Sequence, residues 1–136
     1  MRTKSKKYHL TNKEYEIMKI LWKSGKPMLI SDILLETDNV AENSLHPMIK
    51  NLINNGFIKV VGSMKVSKTT SRLYAPAITV DEYAAMQLEG IMKTSNSKLD
   101  FKNVLAFFTS RNKKNNKDVI EGIKKFIEEY KEDEDL

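Results

Sequence analysis

Apolar residues recur at helical spacing near the start of the chain. This stretch contains Tyr15, Ile17, Met18, Leu21 and Trp22. Thr11 and Glu14, just before and at its start, have the spacing of a capping box, in which each side chain accepts a hydrogen bond from the other residue's backbone N–H. A Gly-Lys-Pro run at 25–27 ends the pattern. The sequence therefore predicts a first helix over about residues 11–24.

Two further helical patterns follow a short extended segment at residues 27–29. Ser31 and Asp32 precede three apolar residues, which predicts one or two turns of helix. A longer stripe runs over about residues 43–55. Its apolar members share one face and are Leu45, Met48, Ile49, Leu52 and Ile53. Gly56 stands where a helix commonly ends in a left-handed residue.

Two β-rich runs come after the third helix. They cover residues 57–61 and 69–75, and the segment between them, from Gly62 to Lys68, is predicted to be a long loop. The order helix, short strand, helix, helix, hairpin is that of a winged helix-turn-helix, with the hairpin as the wing. A helix fits the roughly 12 Å width of the DNA major groove, and a basic hairpin can lie along neighbouring phosphates.

The remainder of the chain has only helical patterns. Amphipathic stretches cover about residues 80–93, 99–110 and 118–130, and either Thr79 or Asp81 can cap the first. Three short helices do not easily form a stable unit alone. They therefore either fold back on the winged helix or pack against a second copy of the chain.

These patterns together predict a fold that is mainly α with one small β-hairpin. We expect a winged helix-turn-helix DNA-binding domain over residues 1–79, followed by a helical dimerisation domain over residues 80–136.

Positive charge is concentrated in the N-terminal part. Residues 1–80 hold 13 Lys and Arg against 6 Asp and Glu, a formal charge of +7, whereas residues 81–136 hold 10 against 12, a charge of −2. A positive field of this kind attracts nucleic-acid phosphates. Charge alone leaves a merely soluble surface with a basic tail as a second interpretation. Four of the positive charges come from Arg2, Lys4, Lys6 and Lys7.

Other function classes find little support in the residues. The absence of Cys removes disulfides, thiolate nucleophiles and Cys-based metal sites. His9 and His46 belong to no metal-ligand motif, and there is no Gly-rich phosphate loop. No stretch of eighteen apolar residues exists, and the basic N-terminus lacks the apolar segment of a signal peptide. We therefore predict a cytoplasmic protein that is not an enzyme and has no metal, cofactor or membrane association.

Several short motifs occur in an order and spacing that is typical of one family. They are Leu10-Thr11 with Glu14, Ile17-Met18 and Leu21-Trp22 in the first helix, Leu52 with Gly56-Phe57-Ile58 after the third, and Arg72-x-Tyr74-x-Pro76 followed by Glu82-Tyr83. In these motifs the chain resembles the penicillinase repressor family of winged-helix regulators, over nearly its whole length.

The resemblance implies a dimer that represses transcription by occupying promoter operators. The implied partners are double-stranded DNA and a second copy of the chain. In that family, release comes from proteolysis of the dimerisation region or from copper bound through a C-terminal Cys motif. The lack of Cys closes the copper route here. The identity of an inducing protease or other signal protein, the operator sequence and the regulated genes stay open.

The third helix, which the resemblance makes the recognition helix, departs from the family pattern. The family usually carries Thr-Val-x-Thr and later an Arg, where this chain has Ser44-Leu45-His46-Pro47 and Asn51. With Leu45 towards the core, the outward face is predicted to contain Asn43, Ser44, His46, Pro47, Lys50, Asn51 and Asn54. Asn pairs well with adenine edges, whereas the commonest specific contact, Arg to guanine, is missing from this helix. Pro47 fits a helix that begins at Asn43 or Ser44, because it then lies in or just after the first turn.

Contacts with DNA phosphates are predicted mainly from the wing. The candidate residues are Lys59, Lys65, Lys68 and Arg72, with Lys50 and the N-terminal lysines in support. Candidate dimer contacts are apolar residues of the later helices. They are Tyr83, Leu88, Ile91, Leu105, Phe107, Phe108, Ile123, Phe126 and Ile127.

A protein-interaction adaptor is the alternative function. In it the winged helix has lost sequence-specific DNA binding, and the C-terminal helices recruit a partner. The charge-poor recognition helix favours this alternative, whereas the +7 charge of residues 1–80 favours DNA.

Overall fold

The computed structural model describes residues 9–94, 99–111 and 116–134. Its elements, in chain order, are α1 (Asn12–Ser24), α2 (Ile30–Glu36), α3 (Glu42–Asn54), β1 (Ile58–Val66), β2 (Thr69–Pro76), α4 (Val80–Thr94), α5 (Phe101–Arg111) and α6 (Asn116–Glu134). The chain divides into two compact units, Met1–Thr94 and Ser95–Leu136. The described helices and their single antiparallel hairpin confirm the mainly α, winged-helix prediction.

The core of the first unit lies between α1, α2, α3 and the base of the hairpin. Its most deeply buried side chains are Ile17, Met18, Leu21, Ile33, Leu45, Ile49, Leu52, Phe57 and Ile58. Met48 and Ile53, the other members of the predicted stripe on α3, are partly buried against this core. The helical periodicity of the sequence therefore identified the buried face of α3 correctly.

The start of α1 is fixed by the predicted capping box. The Glu14 backbone N–H donates to the Thr11 hydroxyl at 3.2 Å, and the Thr11 backbone N–H donates to the Glu14 carboxylate at 3.0 Å. Two backbone donors that the helix cannot satisfy are thus paired.

The end of α3 is a Schellman motif built on the predicted left-handed glycine. Gly56 has a φ of 84°. Its N–H donates to the Ile53 carbonyl at 3.0 Å, and the N–H of Phe57 donates to the Leu52 carbonyl at 2.8 Å. The motif turns the chain directly into β1, so it connects α3 to the wing.

The wing corrects the expectation of a long loop. Strand β1 continues to Val66 and β2 begins at Thr69, so only Ser67 and Lys68 connect them. Ser67 adopts a φ of 60°, as a two-residue hairpin turn needs. The strands pair through residues 62–66 because a β-bulge between Val60 and Gly62 absorbs one extra residue.

The short extended segment predicted at residues 27–29 is present at Met28. It also connects the wing to the core. The backbone of Met28 exchanges two hydrogen bonds with that of Tyr74, at 2.9 and 2.8 Å. Because Met28 and Tyr74 are also buried, the base of the hairpin is held both by backbone pairing and by packing.

Helix α4 packs as a part of the first unit. Thr79 caps it, the first of the two predicted alternatives, through a capping box in which Glu82 N–H donates to the Thr79 hydroxyl at 3.0 Å. Tyr83 is buried beside Tyr15, Trp22 and Phe57, with ring centroids about 6 Å apart in each pair. The division into functional domains at residues 79 and 80 stays a prediction, while the compact unit extends to residue 94.

The second unit contains α5 and α6. No side chain of α5 is buried, and the apolar residues of both helices are largely exposed in the isolated chain. The predicted helical patterns at 99–110 and 118–130 are confirmed with slightly shifted bounds. In the part of the chain that the structure describes, no helix is long and apolar enough to cross a membrane.

Candidate nucleic-acid interface

The outward face of α3 is made of the polar residues that the sequence indicated. Asn43, Ser44, His46, Pro47, Lys50, Asn51 and Asn54 are all exposed. Leu45, Ile49 and Leu52 hold the opposite face in the core. The helix therefore presents a row of amide, hydroxyl and imidazole groups that no other described element of the first unit covers, which suits hydrogen bonding to base edges.

Pro47 lies deeper in the helix than expected. Helix α3 begins at Glu42, so Pro47 is its sixth residue and falls in the second turn. Proline has no N–H to donate to the carbonyl four residues earlier, which belongs to Asn43. The Asn43 carbonyl therefore accepts no hydrogen bond from residue 47, and Pro47 presents an exposed apolar ring on the same helix.

The two faces of the wing differ in character. Side chains alternate along β2, so Arg72 projects from the same face as Tyr74, which packs into the core. The cross-strand partner of Arg72 is Ser63, and the next pair on this face is Lys65 with Thr70. The opposite face carries Leu73 together with the exposed side chains of Met64 and Val66.

The polar face of the wing borders α3. Two adjoining open depressions, of about 310 and 340 Å³, lie between the wing and the start of α2 and α3. Both are lined by His46 and Arg72, and the second also by Lys50 and Asn54. The fold therefore brings Arg72 together with the recognition helix into one continuous surface. The sequence did not indicate this proximity of Arg72 to α3. With a loop predicted over residues 62–68, the cross-strand partner of Arg72 and the face from which it projects were not defined.

The other wing cations lie elsewhere. Lys68 is in the turn, and Lys65 pairs with Thr70, the second pair from the turn. Both are therefore near the tip. Lys59 pairs with Ala75 on the face opposite Tyr74 and lines a separate groove beside Trp22. The predicted N-terminal contacts Arg2, Lys4, Lys6 and Lys7 lie outside the described residues.

The surface is positively charged around α3 and the wing. Its cations are Lys50, Lys65, Lys68 and Arg72. One carboxylate, Glu42, lines the first of the two depressions together with Arg72. No ion pair joins any of these four cations to a carboxylate of a described residue. Their charges are thus available to phosphates, and salt would screen that attraction.

The candidate dimer contacts differ in how much surface they offer. Tyr83 is buried within the first unit, and its hydroxyl accepts a hydrogen bond from the Leu10 N–H at 3.0 Å. Leu88 and Ile123 are half-buried. The exposed members are Ile91, Leu105, Phe107, Phe108, Phe126 and Ile127. Most of the predicted set is therefore open to a partner, whereas Tyr83 serves the core of its own chain.

Metal-binding groups are not concentrated at any place among the residues that the structure describes. No three His, Asp or Glu side chains there are arranged to hold an ion. His9 instead contacts the Gln87 side chain, with 2.9 Å between Nδ1 and Oε1.

Comparison with known proteins yields one family and a distant structural similarity. No curated protein matches the chain. Among solved structures, it is similar to Bacillus subtilis PadR in a crystal structure with operator DNA, at 18% identity and a TM-score of 0.44. That similarity covers 76% of this chain, and the chain spans only 60% of the PadR chain.

The family match extends over nearly all of the sequence. The model of the penicillinase repressor family matches residues 10–129, from the residue before the α1 cap well into α6. The match includes α3, the wing and most of both compact units. This chain belongs to the penicillinase repressor family and has a winged-helix fold.

Proposed function

We propose that this protein is a dimeric repressor that occupies a pseudo-palindromic operator. The observation that carries the proposal is the exposed polar face of α3, which lies beside the cationic face of the wing in a chain of a repressor family. Helix α3 would enter the major groove, and Lys50, Lys65 and Lys68 would contact phosphates around it.

The second unit supports the dimer in this proposal. Phe107 and Phe126 are each 65% exposed, and they lie among several other exposed apolar side chains of α5 and α6. A surface this apolar is unusual unless another molecule covers it. Two-fold pairing of identical copies is the commonest arrangement and matches the symmetry of a pseudo-palindrome.

A protein-interaction adaptor is the second candidate. The outer face of the wing favours it, because Met64 is 51% and Val66 41% exposed there, next to Leu73. Apolar side chains on a wing contribute little to phosphate binding and more to a protein contact. The recognition helix, which carries one Lys and no Arg, favours it as well.

A salt-titrated mobility-shift assay separates the two candidates. The full chain is titrated onto the duplex upstream of its own gene and onto random duplex, between about 50 and 200 mM salt. We expect tighter binding to the upstream duplex, with log Kd changing by about 4 or more for each tenfold change in salt, since several phosphates are contacted. Absence of binding to either duplex at the lowest salt would refute the repressor and favour the adaptor.

A further inference from the structure

We propose that Arg72 of the wing reads a guanine in each half-site, replacing the arginine that the recognition helix lacks. The inference rests on the proposed binding of operator DNA and adds a specificity-determining residue to it. It distinguishes Arg72 from the wing lysines, to which we assign phosphate contacts.

The first argument is the position of Arg72 on the hairpin. It lies two residues from Tyr74 on β2, so the two side chains leave the strand on the same face. Tyr74 is held in place by burial and by its backbone pairing with Met28. Arg72 therefore lies midway along the hairpin, two residues from the anchored Tyr74, whereas Lys68 is in the turn at the tip.

The second argument is what Arg72 shares with α3. It lines both depressions between the wing and the helix, and His46 and Tyr74 line both as well. Lys50 and Asn54, one helical turn apart on the exposed face, line the second. A side chain in this position borders the footprint of the recognition helix and can reach the same stretch of major groove.

The third argument is chemical. Among the described residues of the first unit, Arg72 is the one arginine, and no described carboxylate forms an ion pair with it. A guanidinium donates two parallel hydrogen bonds to guanine O6 and N7 in a fixed planar geometry, whereas the ammonium of Lys50 on α3 is a point charge on a flexible stem. The exposed face of α3 offers three asparagines, suited to adenine, but no guanidinium. Arg72 therefore supplies the chemistry that the helix lacks.

The experiment uses the full chain and a duplex obtained by selection from a random library. Each base pair of one half-site is replaced in turn, and Kd is measured for the wild type, Arg72→Lys and Arg72→Gln. Lys68→Gln, at the wing tip, is the matched control. Circular dichroism verifies that each variant is folded, which we expect because both side chains are exposed.

We expect the wild type to prefer a G·C pair at one position by about tenfold or more. Arg72→Gln should reduce that preference to about twofold or less, Arg72→Lys should reduce it in part, and both should keep the preferences at other positions. Because Lys keeps the charge, Arg72→Lys should retain the salt dependence of the wild type. Lys68→Gln should weaken binding to all duplexes alike.

Two results would overturn the assignment while leaving the proposed function intact. One is an equal loss of affinity for Arg72→Gln on every duplex, which would make Arg72 a phosphate contact. The other is an Arg72→Gln variant that binds every duplex as the wild type does, which would place Arg72 away from the DNA. A wild-type chain that binds no duplex at all would refute the proposed function together with this inference.

Discussion

At the scale of single residues, Tyr83 shows how a position can have a role that local sequence does not reveal. Its place on an apolar stripe of α4 suggested a contact with a second copy. The structure instead buries its ring, and its hydroxyl accepts from the N–H of Leu10, 73 residues earlier in the chain. Periodicity identifies which face of a helix is apolar, but it does not identify the element that this face contacts.

Removing that hydroxyl should destabilise the first unit. In Tyr83→Phe the ring stays in place, but the buried Leu10 N–H loses its acceptor. Leaving a buried donor unsatisfied costs about 1–2 kcal/mol, so the free energy of unfolding should fall by that amount. Chemical denaturation of the full chain measures it.

Tyr15→Phe is the control for this prediction. The Tyr15 ring is 38% exposed, and its hydroxyl has no hydrogen bond to the described residues. The same chemical change there should alter stability by less than about 0.5 kcal/mol. Equal losses for the two variants would show that the Leu10 contact contributes little.

At the scale of elements, the sequence predicted the three helices of the winged helix well and the wing poorly. Capping boxes, apolar stripes and Gly56 are local signals, because each depends on residues within one or two turns. The hairpin depends on how two separated segments align. Gly62 and Ser63 are residue types that favour turns, so residues 62–66 resemble a loop in sequence although they form a strand beyond a bulge between Val60 and Gly62.

The candidate site likewise has a part that local sequence signals predict and a part that depends on long-range packing. The exposed face of α3 could be predicted residue by residue from its helical spacing. The proximity of Arg72 to His46 and Lys50 could not, because it depends on the register of the wing and on its packing against α3.

The end of α3 provides a test with two matched glycines. Gly56 has a φ of 84°, and no atom lies within 4 Å of where a Cβ would be. Gly56→Ala therefore introduces backbone strain alone and should lower stability by about 1–2 kcal/mol. Gly122 in α6 also has open space around it, and there the same substitution should add about 0.5–1 kcal/mol of helix stability. Thermal unfolding followed by circular dichroism compares the two, and a stabilising Gly56→Ala would contradict the left-handed turn.

The tip of the wing should contribute affinity without specificity. In the double variant Lys65→Gln/Lys68→Gln, binding should weaken on every duplex. The magnitude of the log–log salt slope should fall by about 0.9 for each phosphate that a lysine no longer neutralises. A fluorescence-anisotropy titration at several salt concentrations measures both. Asn51→Ala serves as the contrast, because it should change the base preference more than the salt dependence. An unchanged salt slope in the double variant would show that the tip of the wing does not contact DNA.

At the scale of the whole molecule, the second unit exposes many apolar side chains to solvent, which is energetically unfavourable for an isolated chain. We expect a second copy to cover them. Phe107→Asp combined with Phe126→Asp would place charges in that interface, where desolvation is unfavourable. Sedimentation equilibrium should then show a dimer for the wild type and a monomer for the variant.

Leu35 offers a matched control for this change. It is 85% exposed on α2, in the first unit, and Leu35→Asp should leave the dimer intact. The monomeric variant should also bind a full operator more weakly than the wild type, because two half-sites are no longer occupied as one event. A wild-type chain that sediments as a monomer at micromolar concentration would contradict the proposed dimer.

The position of Trp22 gives the molecule a built-in optical reporter. It is the one tryptophan of the chain, and its indole N–H donates to the Ile78 carbonyl at 2.9 Å, where the wing leads into α4. Its emission therefore follows the melting of the first unit, whereas ellipticity at 222 nm includes α5 and α6 too. Two curves that coincide would mean that both units unfold in one cooperative transition. Two curves that separate would mean that the first unit unfolds at a different temperature from α5 and α6.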